Sequence, residues 1–187
     1  DLCVLEIGCG SGDLLASLPA RKKTGVDISQ EQLVWAKEKY PNETIEWVHQ
    51  DAHQLQLTET YDLIILSNLI GFTEDIQLVF ENLKPYCHAQ TKIIVQFYNA
   101  LWEPVLKWSE RLGIRSKTPL QNWLSTRDIN NLLHISGFEV FRNSKRMVFP
   151  FYIPILSHII NRYLAHIPPF RFFCWNLYSS SVCVHHY

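Results

Sequence analysis

A short apolar run that ends in a cluster of glycines, followed at once by a helical pattern, confines this chain to few folds. Residues 2–7 read Leu-Cys-Val-Leu-Glu-Ile and residues 8–12 read Gly-Cys-Gly-Ser-Gly. A brief apolar run bounded by turn residues reads as a buried strand. The glycines let the backbone turn sharply and approach a ligand closely, because a Cβ would obstruct it. Asp13 to Leu18 then reads as a short helix stopped by Pro19. Strand, glycine turn and helix in this order predict a nucleotide-type cofactor above the C-terminal edge of a sheet.

The pattern repeats downstream. Thr24–Ile28, Thr44–His49, Tyr61–Leu66 and Lys92–Tyr98 read as further strands. Between them lie helical stretches: one from the N-cap Ser29 through Tyr40, ended by Pro41, and one from about Glu74 to Leu83. Alternation at this spacing indicates parallel β-α-β units in a sheet covered on both faces. In the second half, Trp102–Leu112 reads as a helix ending at Gly113. Ser125 with Asp128 is a capping-box start for another that stops at Gly137. Phe138–Phe149 and roughly Phe173–His185 are the last strand candidates. No repeat interrupts the chain, so residues 1–187 are read as a single domain.

Composition narrows the function. With 47% hydrophobic and 19% charged residues, 7 Gly and 9 Pro, the 187-residue chain is neither fibrous nor disordered. It has no run of about 18 uncharged apolar residues that would span a bilayer, and no apolar leader. The five cysteines, Cys3, Cys9, Cys87, Cys174 and Cys183, contain no Cys-x-x-Cys pair. They read as reduced thiols of a cytoplasmic protein, and the scattered histidines give no metal site. The chain begins at Asp1 and a strand follows almost immediately, so it reads as a piece of something longer.

Two acids follow the glycines at the ends of the next two strands, Asp27 and Asp51. An acid 19 residues after Gly8 suits a bidentate acceptor for ribose hydroxyls. NAD and S-adenosylmethionine share that ribose. Dinucleotide sites favour Gly-x-Gly-x-x-Gly/Ala against a pyrophosphate, whereas this chain has Gly-x-Gly-x-Gly with Asp13 next. A carboxylate is a poor neighbour for a pyrophosphate, which disfavours NAD.

Val4–Gly12, with Glu6 as its leading acid, resembles the first motif of the class I S-adenosylmethionine-dependent methyltransferases. Gly25-Val26-Asp27-Ile28-Ser29 resembles their second motif, Gln50-Asp51-Ala52 the third, and Tyr61-Asp62-Leu63-Ile64-Ile65-Leu66-Ser67 the fourth. Leu83-Lys84-Pro85 is similar to the usual end of the following helix. The resemblance implies a Rossmann-like, doubly wound α/β fold with a mostly parallel seven-stranded sheet whose last strand is antiparallel. It also implies S-adenosylmethionine as cofactor, with Glu6, Gly8, Gly10, Gly12, Asp27, Ile28, Asp51, Ala52 and Ser67 as its binding residues. Gly8 and Gly10 would approach the methionine part and Asp27 the ribose; Asp51 would meet the adenine, with Ile28 packed on its ring. Two features depart from the family. Asn68-Leu69-Ile70-Gly71-Phe72 stands where many small-molecule members carry a His, and the family's helix ahead of the first strand is missing.

Tyr98–Pro104, Gln121–Ser125 and Tyr152-Ile153-Pro154 resemble, more narrowly, bacterial methyltransferase domains joined to glycosyltransferase domains. That implies a small-molecule, sugar or lipid-linked acceptor and a glycosyltransferase domain on the same chain. Methyl transfer is an in-line displacement, so the protein mostly aligns a nucleophile and excludes water; a hydroxyl acceptor needs a general base as well. Candidates on the acceptor side are Asn68, Tyr98, Asn99, Trp102, Gln121, Asn122 and Trp123, none an obvious base. Gln121 and Asn122 could bind sugar hydroxyls or organise a turn.

Charge divides unevenly. Residues 1–99 hold 7 Lys and Arg against 14 Asp and Glu, and residues 100–187 hold 10 against 4. The basic half fits an anionic partner or a solvated basic face. Within it, residues 150–171 contain Ile155, Ile159, Tyr163 and Ile167 at helical spacing. This segment reads as an amphipathic helix that walls the acceptor pocket or rests on a membrane surface. Three rivals remain: an NAD-dependent oxidoreductase, a non-catalytic cofactor-binding module and a nucleic-acid methyltransferase. Against the last, the basic residues are spread out and no Asn/Asp-Pro-Pro-Tyr/Phe string follows the fourth strand.

Overall fold

The computed structural model describes residues 2–97, 103–113, 122, 124–140, 143–146 and 175–181. Five strands, β1 (Cys3–Ile7), β2 (Lys22–Asp27), β3 (Ile45–His49), β4 (Leu63–Ser67) and β5 (Lys92–Phe97), form a parallel sheet. Two more, β6 (Asn143–Arg146) and β7 (Trp175–Ser181), lie beyond it. The strand order is β3-β2-β1-β4-β5-β7-β6, with β7 antiparallel to both β5 and β6. The chain leaves β1 to one side for β2 and β3 and returns to the other for β4 and β5. This reversal opens a crevice above the carboxyl ends of β1 and β4.

The unbroken apolar character of the strands has its reason in two buried faces. Leu5, Ile7, Ile64, Leu66, Ile93 and Val95 join the larger core, and Val4 and Ile65 join a second cluster with Leu15. The helix α1 (Asp13–Ser17) supplies Leu15. On the larger side, α3 (Ile76–Leu83) buries Ile76, Val79, Phe80 and Leu83, the i, i+3, i+4, i+7 stripe of an amphipathic helix.

Caps set the helix boundaries. Ser29 Oγ accepts the Gln32 N–H at the start of α2 (Gln30–Lys39). Asp75, not Glu74, begins α3, because its carboxylate accepts the Leu78 N–H. The helix α5 (Thr126–Ile135) starts with the Ser125–Asp128 capping box. It ends in a Schellman turn: Phe138 N–H bonds to Leu133 O, Gly137 N–H to His134 O, and Gly137 has φ 80°. Phe138, expected to open a strand, forms a single β-bridge and packs edge-on against Phe80 at 6.4 Å, and the strand itself is described at Asn143–Arg146. The helix α4 spans Glu103–Arg111.

The remaining boundaries shift by a few residues. The second strand begins at Lys22 rather than Thr24. The fourth begins at Leu63, because Tyr61 donates its N–H to Tyr86 O rather than to a neighbouring strand. Cys9 and Cys87 are buried free thiols and Cys3 is a partly buried one. Cys174, Cys183 and the predicted helix within 150–171 lie outside the described residues.

Candidate functional site

The glycine turn is built on the end of β1. Gly8 and Cys9 both donate their N–H to Val26 O, at 2.9 and 3.1 Å, which folds the loop back over β2. Gly8 has φ 75°, and a Cβ there would stand 3.0 Å from the Ser67 carbonyl oxygen. Only glycine lets the two strand ends meet so closely. Gly12, with φ 74°, precedes α1; a Cβ there would lie 2.3 Å from the Trp47 ring.

Asp27 holds this loop from the next strand. Its Oδ2 accepts the Gly10 N–H at 2.7 Å and its Oδ1 the Ser29 N–H at 2.8 Å. Each oxygen keeps a lone pair for a further donor. Asp51 follows β3 and caps a 3-10 turn at residues 52–54. Hydrogen bonds from His53, chiefly its backbone N–H, hold the Asp51 carboxyl below the usual carboxylate range.

Asp27 and Asp51 border one cavity of about 540 Å³, together with Gly8, Ile28, Ala52 and Ser67. That size accommodates a small organic molecule. Ile28, 66% exposed, offers an apolar surface beside the two acids. A carboxylate with spare lone pairs, a second acid and an exposed aliphatic side chain fit an adenosine-containing cofactor.

The other expected cofactor residues, Glu6, Gly10 and Gly12, are not among those that line this cavity. Glu6 is buried, and its Oε1 accepts the Ser67 Oγ–H at 2.6 Å. Its Oε2 is buried without a hydrogen-bond partner among the described residues. Burial pushes the Glu6 carboxyl up to about 7, against the Ser67 bond that favours its ionised form. Gly10 contributes through its bond to Asp27, and Gly12 through its contact with Trp47.

On the acceptor side, Asn68 borders the cavity at the end of β4. It is a non-glycine residue with φ 53°, and its buried Oδ1 has no hydrogen-bond partner among the described residues. Asn122 is bound into structure: its N–H donates to Gly71 O at 2.7 Å and its Nδ2 to Thr73 O at 2.5 Å. Both bonds reach the loop at residues 71–73, far away in sequence. Tyr98, Asn99, Trp102, Gln121 and Trp123 lie outside the described residues. His53, Phe72 and Glu74 border the cavity without having been expected there. The Asp51-x-His53 spacing was the available signal for the first. No group of three metal-ligating side chains occurs among the described residues.

Residues 4–88 match the family described as methyltransferase domain. The malonyl-[acyl-carrier protein] O-methyltransferase of Bacillus cereus is 25% identical over 147 residues, 73% of this chain and 53% of that protein. The chain spans about half the length, or less, of the curated relatives it matches. Among solved structures, the complex of the Haloferax volcanii Trm112 methyltransferase activator with a methyltransferase aligns with TM-score 0.73. It has 15% identity and covers all of this chain and 83% of that one. Magnesium protoporphyrin IX methyltransferase from Synechocystis, with bound SAH, aligns with TM-score 0.67 and 21% identity, over 97% of this chain and 74% of that one. The matched family and these curated relatives are described as methyltransferases, and the solved structures share the fold. The matched segment, residues 4–88, contains every residue expected to hold the cofactor.

Proposed function

We propose that this chain binds S-adenosylmethionine in the cavity above β1 and β4 and transfers its methyl group to a small-molecule, sugar or lipid-linked acceptor. The observation that carries the reading is the Asp27 carboxylate, bonded to Gly10 and Ser29 and bordering the cavity with lone pairs to spare. In this reading Asp27 takes the ribose hydroxyls, Asp51 and Ala52 the adenine edge, Ile28 its face, and Gly8 and Gly10 the methionine part. Glu6 and Ser67 support the loop from beneath.

The cofactor supplies an electrophilic methyl group on a sulfonium. The chain has to align a nucleophile with it and keep water out. Asn68 is the residue we assign to the acceptor side, since a strained backbone and an unpartnered amide oxygen at a cavity wall are the marks of a functional position. An amine acceptor in its neutral form needs no base; for a hydroxyl, Glu74 is a carboxylate that borders the same cavity.

The finer parts of the proposal rest on sequence. These are residues 1–187 as one domain, a glycosyltransferase domain on the same chain, and a cytoplasmic protein touching membrane through 150–171. No helix among the described residues is long and apolar enough to cross a membrane. Incubation with methyl-labelled S-adenosylmethionine and a panel of sugars, lipid-linked sugars, amines and malonyl-acyl carrier protein tests the activity. Label should pass to one acceptor class in the wild type and be abolished in a folded Asp27→Ala protein. Transfer undiminished by that change would overturn the assignment.

A further inference from the structure

The loop that follows β4 brings to the cavity an aromatic side chain that the reading above leaves unused. Phe72 borders the cavity and is 41% exposed, whereas its neighbours are held down: Ile70 lies in the larger core and Thr73 is buried. An aromatic side chain left open at a cavity wall is apolar area for a ligand to cover. The backbone around it is fixed. Leu69 O accepts the Phe72 N–H and the Thr73 Oγ1–H, both at 2.9 Å. Asn122 brackets the same residue from the segment ahead of α5. Its N–H bonds to the carbonyl before Phe72 (Gly71 O, 2.7 Å) and its Nδ2–H to the one after it (Thr73 O, 2.5 Å). Asn122 is itself anchored, since Leu124 packs on the larger core and Ser125 caps α5, whose Ile129 and Leu133 lie in that core. The position of α5 thus reaches the cavity wall through one residue. In the strand order, the residues assigned to ribose and adenine follow β2 and β3 on one side of β1, and Phe72 follows β4 on the other.

We infer that Asn122 is a positioning residue that presents Phe72 as the wall on which the methyl acceptor lies, so that the acceptor carries a flat ring, aromatic or sugar, beside its nucleophile. This rests on the proposal that the cavity binds S-adenosylmethionine. A phenyl group packs against another ring or covers the C–H face of a sugar. Such a contact corresponds to about two- to tenfold in affinity. A ring already held in place spares the ordering cost when the acceptor arrives.

Saturation-transfer NMR on protein loaded with S-adenosylhomocysteine tests this with phenyl β-D-glucopyranoside, methyl β-D-glucopyranoside and benzyl alcohol as probes. The phenyl glucoside should bind, and the other two show which of its rings is received. Phe72→Ser, at an exposed position, should weaken that probe by about two- to tenfold, and Asn122→Ala by about twofold or more. Affinity for S-adenosylhomocysteine should stay unchanged in both. In a Phe72→Ser background, Asn122→Ala should have no further effect on the probe, because it acts through that ring. Undiminished probe binding in Phe72→Ser would overturn the inference. So would an Asn122→Ala protein that also loses S-adenosylhomocysteine, or one whose loss is the same with and without Phe72; both are marks of a merely structural role. A wild type that binds S-adenosylhomocysteine but no probe would overturn it too and leave the cofactor reading intact. Failure to bind S-adenosylhomocysteine would remove that reading and the inference together. Should Asn122→Ala not fold, hydrogen exchange in the wild type decides: a protected Asn122 backbone N–H supports the bracket, and exchange as fast as in an unstructured peptide contradicts it.

Discussion

The backbone N–H of Gly10 donates to Oδ2 of Asp27 at 2.7 Å, across 17 residues of sequence. With Ser29 N–H on Oδ1, the carboxylate is oriented on both oxygens before any ligand arrives. Ordering it on binding then costs little, which is the advantage of preorganisation.

Removing that carboxylate should separate binding from folding. Asp27→Ala should weaken binding of S-adenosylhomocysteine by about 1.5–3 kcal/mol for each charged hydrogen bond lost. Asp27→Asn, which keeps one acceptor oxygen, should cost less. Titration calorimetry on proteins shown to be folded measures both; an unchanged affinity in Asp27→Ala would place the ribose elsewhere.

A second expectation concerns Trp47, whose ring lies against two glycines. A Cβ on Gly25 would come within 2.9 Å of two ring atoms and 3.0 Å of Cys9 Sγ. Gly25→Ala should destabilise the fold by about 1–3 kcal/mol through overpacking. The same change in a Trp47→Leu background should cost less. Gly12→Ala should be relieved only in part by Trp47→Leu, because φ 74° strains any other residue whatever the space. Denaturant unfolding of the cycle gives the coupling, and purely additive costs would mean that the ring does not constrain the loop.

Asn68 should show stability opposed to function. Its φ of 53° costs about 1 kcal/mol or more in a non-glycine residue. Asn68→Gly should therefore leave stability unchanged or raise it while lowering methyl transfer. Full transfer in Asn68→Gly would remove Asn68 from the acceptor side.

Glu6 makes stability depend on pH. Its carboxyl ionises near 4.5 in the unfolded chain and near 7 in the folded one. Below 4.5 both states hold the proton, and the group contributes nothing to the pH dependence. Between 4.5 and 7 the unfolded chain releases its proton first, so stability falls as pH rises. Above 7 the loss is complete, on the order of 3 kcal/mol. Glu6→Gln should abolish this slope, so unfolding free energies of the two proteins should diverge from pH 5 to pH 8 in favour of the variant. Parallel profiles would mean that Glu6 is solvated.

What was legible beforehand follows from the range of each signal. The strand–glycine–helix unit, Asp27 and Asp51 rest on contiguous residues whose pattern the structure repeats at nearly the same positions. Ser29 and the Ser125–Asp128 box were readable because capping is a local exchange of hydrogen bonds. The part played by Trp47 was not, since it arises from the register that sets Trp47 beside Gly25 across two strands. His53 and Asn122 act through a turn and a loop whose geometry only the fold fixes. Glu74 read as helix because propensity extends one residue ahead of the Asp75 cap at which α3 starts.

The central claim, that the cavity above β1 and β4 is built for S-adenosylmethionine, is met most directly by comparing nucleotide ligands in one titration. S-adenosylhomocysteine should bind with measurable heat and raise the melting temperature, because a ligand that binds only the folded state stabilises it. NAD should do neither, since Asp13 follows the glycines where a pyrophosphate would need a small residue. Stabilisation by NAD with none by S-adenosylhomocysteine would contradict the account.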